Sequence, residues 1–126
     1  MIFGVGTDLV ELARFEKLFA RYGERVAGHM LSEEELPEFR GHADPARFIA
    51  KRFAAKEAFA KAVGSGLRDP VSLRRIGVTH DRLGKPALQF DNVLREHLAE
   101  LGITGHHLSI SDERDMIVAF VVLETF

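Results

Sequence analysis

Cysteine is absent from the 126-residue chain, which excludes a disulfide scaffold, a zinc ribbon and thiol catalysis. Long apolar runs are absent too, since the longest, near Met116–Leu123, is far shorter than the roughly 20 residues that cross a bilayer. No basic segment precedes an apolar core at the N-terminus, so we expect no signal peptide, no membrane partner and a cytoplasmic location. The net charge of −2 argues against general nucleic-acid binding.

The chain has no internal repeat, no low-complexity tract and no long linker, so we expect a single domain over residues 1–126. A domain of this size buries roughly two-thirds of the surface that its unfolded chain exposes, which is enough for a hydrophobic core. Basic residues gather at 14–25 and 47–61, whereas 32–38 is acidic.

Local patterns predict an α+β fold in which helices pack on one side of a mostly antiparallel sheet. The predicted helices are residues 11–22, a short one that Ser32 and Glu35 open as a capping box, 44–63, and one that Asp91 caps and that ends near 102. The predicted strands are 2–10, 71–80, 86–90, 107–111 and 116–124. Residues 117–123 are apolar on both alternating faces, so the strand should be covered on both sides, by the chain's own helices or by another subunit.

Asp8 is out of place in its apolar, strand-like segment, because an unpaired buried carboxylate costs several kcal/mol. A buried Asp8 would need a partner or a metal ion. The alternative is that Asp8 caps the helix that begins near Glu11, and the residues alone favour neither interpretation. The preceding Gly4-Val5-Gly6-Thr7 lacks the third glycine of a dinucleotide fingerprint, so we reject that motif.

The helix over residues 44–63 carries four charged residues that a structural role does not fully explain. Glu57 and Lys61 are four apart and have alanines as neighbours, which suits either a surface ion pair or the close approach of a ligand. Arg52 and Lys56 project toward the apolar side, where they either snorkel or are aimed at phosphates. The following Gly64-Ser65-Gly66 is either a glycine cap, the commoner meaning, or a phosphate cradle.

Two further patterns are open to a structural or a functional interpretation. A basic stripe on the first helix could dock an acidic partner helix, although solvated surface is the default; its members are Arg14, Leu18, Arg21 and Arg25. Alternation places His107, Ser109 and Ser111 on one face of a strand, where polar residues are usually just solvated.

Four segments, taken in order, resemble a known family over essentially the whole chain. They are GVGTDLVELARFEK, RFAAKEAFAKAVGSGL, LGKPAL and HLSISDERDMIVAFVVLE. The sequence is similar to the holo-acyl-carrier-protein synthases, the small bacterial type of 4′-phosphopantetheinyl transferase.

The resemblance implies a role for each matching residue. Asp8 and Glu57 would bind Mg²⁺, and Lys61 would contact the diphosphate of coenzyme A. Further coenzyme contacts would come from Arg52, Lys56, Gly64, Ser65 and Gly66. His107 would lie near the substrate, and the basic stripe of Arg14, Leu18, Arg21 and Arg25 would bind the acyl carrier protein.

The implied reaction moves the 4′-phosphopantetheine arm of coenzyme A to a carrier serine in support of fatty acid biosynthesis, with 3′,5′-ADP as the other product. The resemblance also implies a homotrimer with active sites between subunits. The base that takes the serine proton stays open between a metal-bound water, Glu57 and His107. Asp112 departs from the histidine of many relatives, so its role is open. The rival functions are a non-catalytic binding module and a structural subunit in which Asp8, Glu57 and Lys61 form plain ion pairs.

Overall fold

The computed structural model describes residues 1–126, and its order of elements is that of an α+β fold, as predicted. The strands are β1 (Ile2–Glu11), β2 (Ile76–His80), β3 (Pro86–Phe90), β4 (Ile103–Asp112) and β5 (Met116–Thr125). The helices are α1 (Leu12–Tyr22), α2 (Arg25–Met30), α3 (Leu36–Arg40), α4 (Pro45–Val63) and α5 (Asn92–Glu100), with a 3₁₀ turn at Leu73–Arg75. None of the helices combines the length and the apolar character needed to cross a membrane.

The strands form two antiparallel sheets, one with the order β1-β5-β4 and the other a hairpin of β2 and β3. The central strand β5 alternates strictly: Ile117, Ala119, Val121 and Leu123 are fully buried. Helix α4 packs against this side of the sheet, on β1 and β5. The alternation of period two therefore creates the face on which the long helix rests.

The opposite face of the three-stranded sheet is apolar and is not covered by the chain's own helices. On β1, Val5 and Leu9 are 54% and 60% exposed, and on β5, Val118 and Phe120 are 37% and 40% exposed. The register pairs Leu9 with Val118 and Val5 with Val122, which joins these side chains into one patch.

Helix α4 begins and ends where the sequence predicts. The Asp44 side chain accepts a hydrogen bond from the backbone N–H of Arg47 at 3.2 Å, and Pro45 occupies the first helical position. Gly64 ends the helix with φ of 97°, a left-handed conformation that favours glycine.

Two predicted boundaries are wrong and one helix was not predicted. The expected strand over 71–80 begins only at Ile76, because its partner β3 is just five residues long and stops where Asp91 caps α5. Strand β4 begins at Ile103, four residues before His107. Helix α2 escaped prediction because its six residues carry no side-chain cap.

Candidate active site at the contact of strand β1 and helix α4

Asp8 lies in strand β1 opposite Ala119 of β5, and its side chain is only 14% exposed. One carboxylate oxygen, Oδ1, accepts a hydrogen bond from Lys61 Nζ at 3.2 Å, while the buried Oδ2 has no partner. Helix α1 is preceded by Glu11, and no side chain caps it. The helix-capping interpretation of Asp8 is therefore wrong.

Two glycines allow β1 to lie directly on α4. A Cβ at Gly4 would be 2.1 Å from the carbonyl oxygen of Ala62, and one at Gly6 would be 2.0 Å from that of Ala58. No other residue type fits at these two positions without moving the backbone. The contact brings Asp8, two residues beyond Gly6, to the surface of α4 that carries Glu57 and Lys61.

Glu57 lies close enough to Asp8 for the two carboxylates to repel each other. The pKa of Glu57 is raised chiefly by partial burial and then by the charge of Asp8, whereas Lys61 and Arg14 act in the opposite direction. Lys61 forms its ion pair with Asp8 and also donates to the backbone carbonyl of Thr7 at 3.0 Å. The simple Glu57–Lys61 pair along the helix is not formed.

This donor set fits a divalent cation that prefers oxygen. Asp8 Oδ2 is a buried acceptor without a donor, and the neighbouring Glu57 adds a second carboxylate, which Asp8 repels. The chain has no cluster of three or more His, Cys, Asp or Glu side chains that could hold a metal ion. One or two carboxylates are enough to hold Mg²⁺ when water and substrate phosphates supply the remaining ligands.

Arg52 and Lys56 lie in the core, around the carboxylate of Glu35. This Glu35 cluster, made of Glu35, Arg52 and Lys56, is almost inaccessible: the three residues are 3%, 4% and 0% exposed. Lys56 Nζ donates to Glu35 Oε1 at 2.6 Å, to the Met30 carbonyl at 2.7 Å and to the Leu73 carbonyl at 3.0 Å. All three donors of the ammonium are thus used, so the predicted contact of Lys56 with coenzyme A is wrong.

The sequence analysis did not identify Glu35 as the centre of this cluster. Its carboxylate accepts hydrogen bonds from the N–H groups of Ser32 and Val78, both at 2.9 Å, and from Arg52 at 3.2 Å and Lys56. The capping-box spacing of Ser32 and Glu35 was the available signal. Only half of that box forms, because Ser32 Oγ is buried and unpartnered.

The loop after α4 uses its glycines for capping. The N–H groups of Gly64 and Gly66 both donate to the Ala60 carbonyl, at 3.1 and 3.2 Å. The Ser65 hydroxyl donates to the carbonyl of Gly66 at 2.8 Å. The cap interpretation is therefore right for Gly64, and the two glycine N–H groups are not free to cradle a phosphate. Contact of the loop with coenzyme A along its outer surface stays a prediction.

His107 lies on β4, away from the core, with its side chain 62% exposed. Its Nε2 is 2.6 Å from Glu124 Oε1 on the neighbouring strand β5. Asp112, at the end of β4, accepts from Arg47 and lies 3.7 Å from Lys51 Nζ. Arg47 also donates to the carbonyls of Glu113 and Arg114, so Asp112 belongs to an ion-pair group that fixes the β4–β5 turn on α4.

The predicted basic stripe is divided between two helices. Arg14, Leu18 and Arg21 lie on α1, whereas Arg25 begins α2 beyond the turn at Gly23. The Arg14 guanidinium lies over the ring of Phe53 at 5.3 Å. Arg21 and Arg25 both lie over the ring of Tyr22, at 5.3 and 5.9 Å. Arg14, Leu18 and Arg21 line one shallow groove and Leu18 and Arg25 line the next, so the four residues are contiguous. The charge of Arg14 also acts on Glu57, where it opposes the rise in pKa.

The fold and the carboxylate pair lead to a defined class of protein. The sequence pattern of the 4′-phosphopantetheinyl transferase superfamily matches residues 4–120, and the chain belongs to this family.

Its similarity to particular members extends over nearly the whole chain. The holo-(acyl-carrier-protein) synthase of Laribacter hongkongensis (strain HLHK9) is 61% identical over 124 residues, which are 98% of this chain and 99% of the relative. The crystal structure of holo-(acyl-carrier-protein) synthase from Neisseria meningitidis superposes with a TM-score of 0.96 at 51% identity, covering 99% and 100% of the two chains. The Bacillus anthracis synthase, crystallised in complex with CoA (3′,5′-ADP), superposes with a TM-score of 0.84 at 38% identity. The match covers 100% of this chain and 99% of that one. The predicted family and fold class are confirmed.

Proposed function

We propose that the chain transfers the 4′-phosphopantetheine arm of coenzyme A to a serine of apo-acyl-carrier protein, giving holo-carrier and 3′,5′-ADP in support of fatty acid biosynthesis. The observation that carries the proposal is the convergence of Asp8, Glu57 and Lys61 at the contact of β1 and α4. The relatives named holo-(acyl-carrier-protein) synthase, together with the neighbour crystallised with CoA (3′,5′-ADP), support this assignment.

We propose Asp8 and Glu57 as the residues that hold Mg²⁺. The buried, donor-free oxygen of Asp8 and the raised pKa of Glu57 support this, because both carboxylates gain from a neighbouring cation. When bound, Mg²⁺ would supply electrostatic stabilisation for the leaving diphosphate oxygens.

The remaining residues would position the coenzyme and handle charge. Lys61 is 53% exposed, so its ammonium can turn from Asp8 to a diphosphate oxygen. Arg52 would reach an anionic group of the coenzyme, and the loop from Gly64 to Gly66 would lie along it. Because the transferred group needs little covalent chemistry from the protein, catalysis would consist mainly of placement and charge stabilisation. Glu57 and His107 are the side chains proposed to accept the serine proton.

The partner surfaces follow from charge and exposure. The basic surface of Arg14, Leu18, Arg21 and Arg25 would bind the acidic carrier protein. The exposed apolar face of β1 and β5 would be buried between copies of the chain in a homotrimer, with active sites between subunits. We propose residues 1–126 as one transferase domain acting in the cytoplasm.

The direct test is mass spectrometry of apo-carrier protein after incubation with the chain, coenzyme A and Mg²⁺. The proposal expects the carrier to gain the mass of one 4′-phosphopantetheinyl group. A carrier of unchanged mass would favour a non-catalytic binding module. Thermal unfolding with and without Mg²⁺ tests the structural-subunit alternative, since a ligand that binds only the folded state raises the melting temperature.

A further inference from the structure

The ammonium group of Lys61 is held by oxygen atoms of strand β1 in the way that a bound cation would be. Its Nζ donates to Asp8 Oδ1 at 3.2 Å and to the backbone carbonyl oxygen of Thr7 at 3.0 Å. The two acceptors belong to consecutive residues, so a single ammonium lies against a carboxylate and a carbonyl oxygen. Hard divalent cations use the same two types of oxygen as ligands.

Lys61 forms its ion pair with Asp8 on strand β1 and not with Glu57, which precedes it by one helical turn on α4. A pair along the helix is the usual arrangement for acidic and basic residues four positions apart. The charge of Lys61 still acts on Glu57, where it opposes the rise in pKa. One lysine therefore partly neutralises both carboxylates of the candidate site.

The two partners of this ion pair differ in how firmly they are held. Asp8 lies within strand β1, opposite Ala119, and its side chain is 14% exposed, whereas the side chain of Lys61 is 53% exposed. Lysine has a flexible stem and a strongly hydrated ammonium, so it can turn into water. An ion pair with such an exposed partner contributes little free energy. The carboxylate is thus fixed in place, and its counter-ion can be replaced.

We propose that Lys61 is the internal counter-ion of Asp8 and that a divalent cation has to displace it in order to bind there. This inference rests on the proposed function, because it concerns the regulation of the same carboxylate site. A divalent cation and an ammonium on one carboxylate are like charges at close range, so they oppose each other even when they contact different oxygens. Lys61 would therefore set the Mg²⁺ concentration at which the site fills, independently of any contact that it makes with coenzyme A.

The test is thermal unfolding of chelator-stripped protein as a function of Mg²⁺ concentration, because a ligand that binds only the folded state raises the melting temperature. The ionic strength is held constant, since salt screens exposed charges. Lys61→Met removes the charge and keeps an unbranched side chain. Its dissociation constant for Mg²⁺ should be about three- to fivefold lower than that of the wild type, the range expected from the loss of one ion pair with an exposed partner. Without Mg²⁺ this variant should melt below the wild type, because the two carboxylates have lost their shared cation.

Three further variants separate the ion pair from other effects of the substitution. Lys61→Arg keeps the charge and should bind Mg²⁺ as the wild type does. Lys85→Met, at an exposed position of the β2–β3 turn, is the matched control and should also leave the affinity unchanged. In Asp8→Asn the pair is already broken, so adding Lys61→Met should give no gain in affinity.

The counter-ion role is overturned if Lys61→Met binds Mg²⁺ no more tightly than the wild type. It is also overturned if Lys61→Arg or Lys85→Met gains as much affinity, or if the gain persists in the Asp8→Asn background. A wild-type chain that binds Mg²⁺ and modifies the carrier, combined with no gain in Lys61→Met, refutes the counter-ion role alone. A wild-type chain that neither responds to Mg²⁺ nor modifies the carrier refutes the proposed function and the counter-ion role together.

Discussion

The carbonyl oxygen of Ala58 lies 2.0 Å from the point where a Cβ on Gly6 would be. This separation is shorter than any tolerated contact, so the backbones of β1 and α4 touch only because residue 6 has no side chain. The same close approach places Asp8 beside Glu57 and Lys61. The candidate site therefore depends on a residue that takes no part in its chemistry.

Gly6→Ala should separate β1 from α4 and disturb both stability and the site. We expect a loss of roughly 1–3 kcal/mol or more in the free energy of unfolding, as for overpacked cores, together with a loss of transfer activity. Denaturant unfolding and the carrier mass assay measure the two effects. Gly28→Ala is the control, because a Cβ at that position meets nothing within 4 Å. Alanine should stabilise helix α2, since it has a higher helix propensity than glycine. Equal behaviour of the two variants would contradict the account.

Glu57→Gln should abolish transfer without reducing stability. The folded-state pKa of Glu57 is above its unfolded value of 4.5, so the stability that its protonated form contributes is complete below pH 4.5 and lost as the pH rises through the folded pKa. At neutral pH the ionised carboxylate therefore opposes folding, and the neutral amide should melt at an equal or higher temperature. A lower melting temperature, or near-normal turnover at ordinary Mg²⁺, would refute this prediction.

The free energy of unfolding should rise at alkaline pH because Lys56 is buried in the Glu35 cluster. Burial lowers the pKa of Lys56 from 10.5 to about 8, against the opposing effect of Glu35. Between these two values the unfolded chain binds more protons than the folded one, so the free energy of unfolding should increase with pH, by on the order of 3 kcal/mol in total. Denaturant unfolding from pH 7.5 to 10 measures this slope. Lys56→Met should flatten it, whereas Lys17→Met, at an exposed position, should retain it.

Charge reversal on helix α1 should weaken carrier binding. Arg21→Glu should raise the KM for carrier protein by about tenfold, equivalent to about 1.4 kcal/mol, and leave coenzyme A affinity unchanged. Arg14→Glu should also lower kcat, because Arg14 lies close enough to affect Glu57 electrostatically. Arg82→Glu, at the exposed β2–β3 turn, is the control. A carrier KM that does not respond to Arg21→Glu would identify the stripe as solvated surface.

Local signals allowed the prediction of most elements. The cap at Asp44, the glycine at position 64 and the turn before Pro86 each act within a few residues, so the sequence alone defines α4 and the β2–β3 hairpin. The apolar residues of β5 predicted cover on both faces; helix α4 covers one of them, and cover of the other by another subunit stays a prediction. These features depend on residues that are close in the chain, so short sequence patterns are enough to predict them.

Long-range contacts explain what the sequence could not reveal. The burial of Arg52 and Lys56 depends on Glu35, which lies 17 and 21 residues away in the turn before α3. Helical periodicity showed that both side chains face the apolar side of α4, but it could not show that the carboxylate of Glu35 lies on that side. The close approach of Gly6 to Ala58, across 52 positions, leaves no trace in local composition. The residues alone marked Asp8 and Glu57 as unusual, and the family resemblance implied that the two share a metal ion.

The most direct test of the central claim, that Asp8 and Glu57 form a divalent-cation site on which transfer depends, is the initial rate of carrier modification as a function of Mg²⁺ concentration. It should be measured on protein stripped with a chelator, for the wild type and for Asp8→Asn. The account predicts that the wild type is inactive until Mg²⁺ is restored, and that Asp8→Asn remains at least about 100-fold slower at ordinary Mg²⁺, the scale of losing one electrostatic group of an active site. Full turnover by the stripped wild type, or by Asp8→Asn at ordinary Mg²⁺, would contradict it.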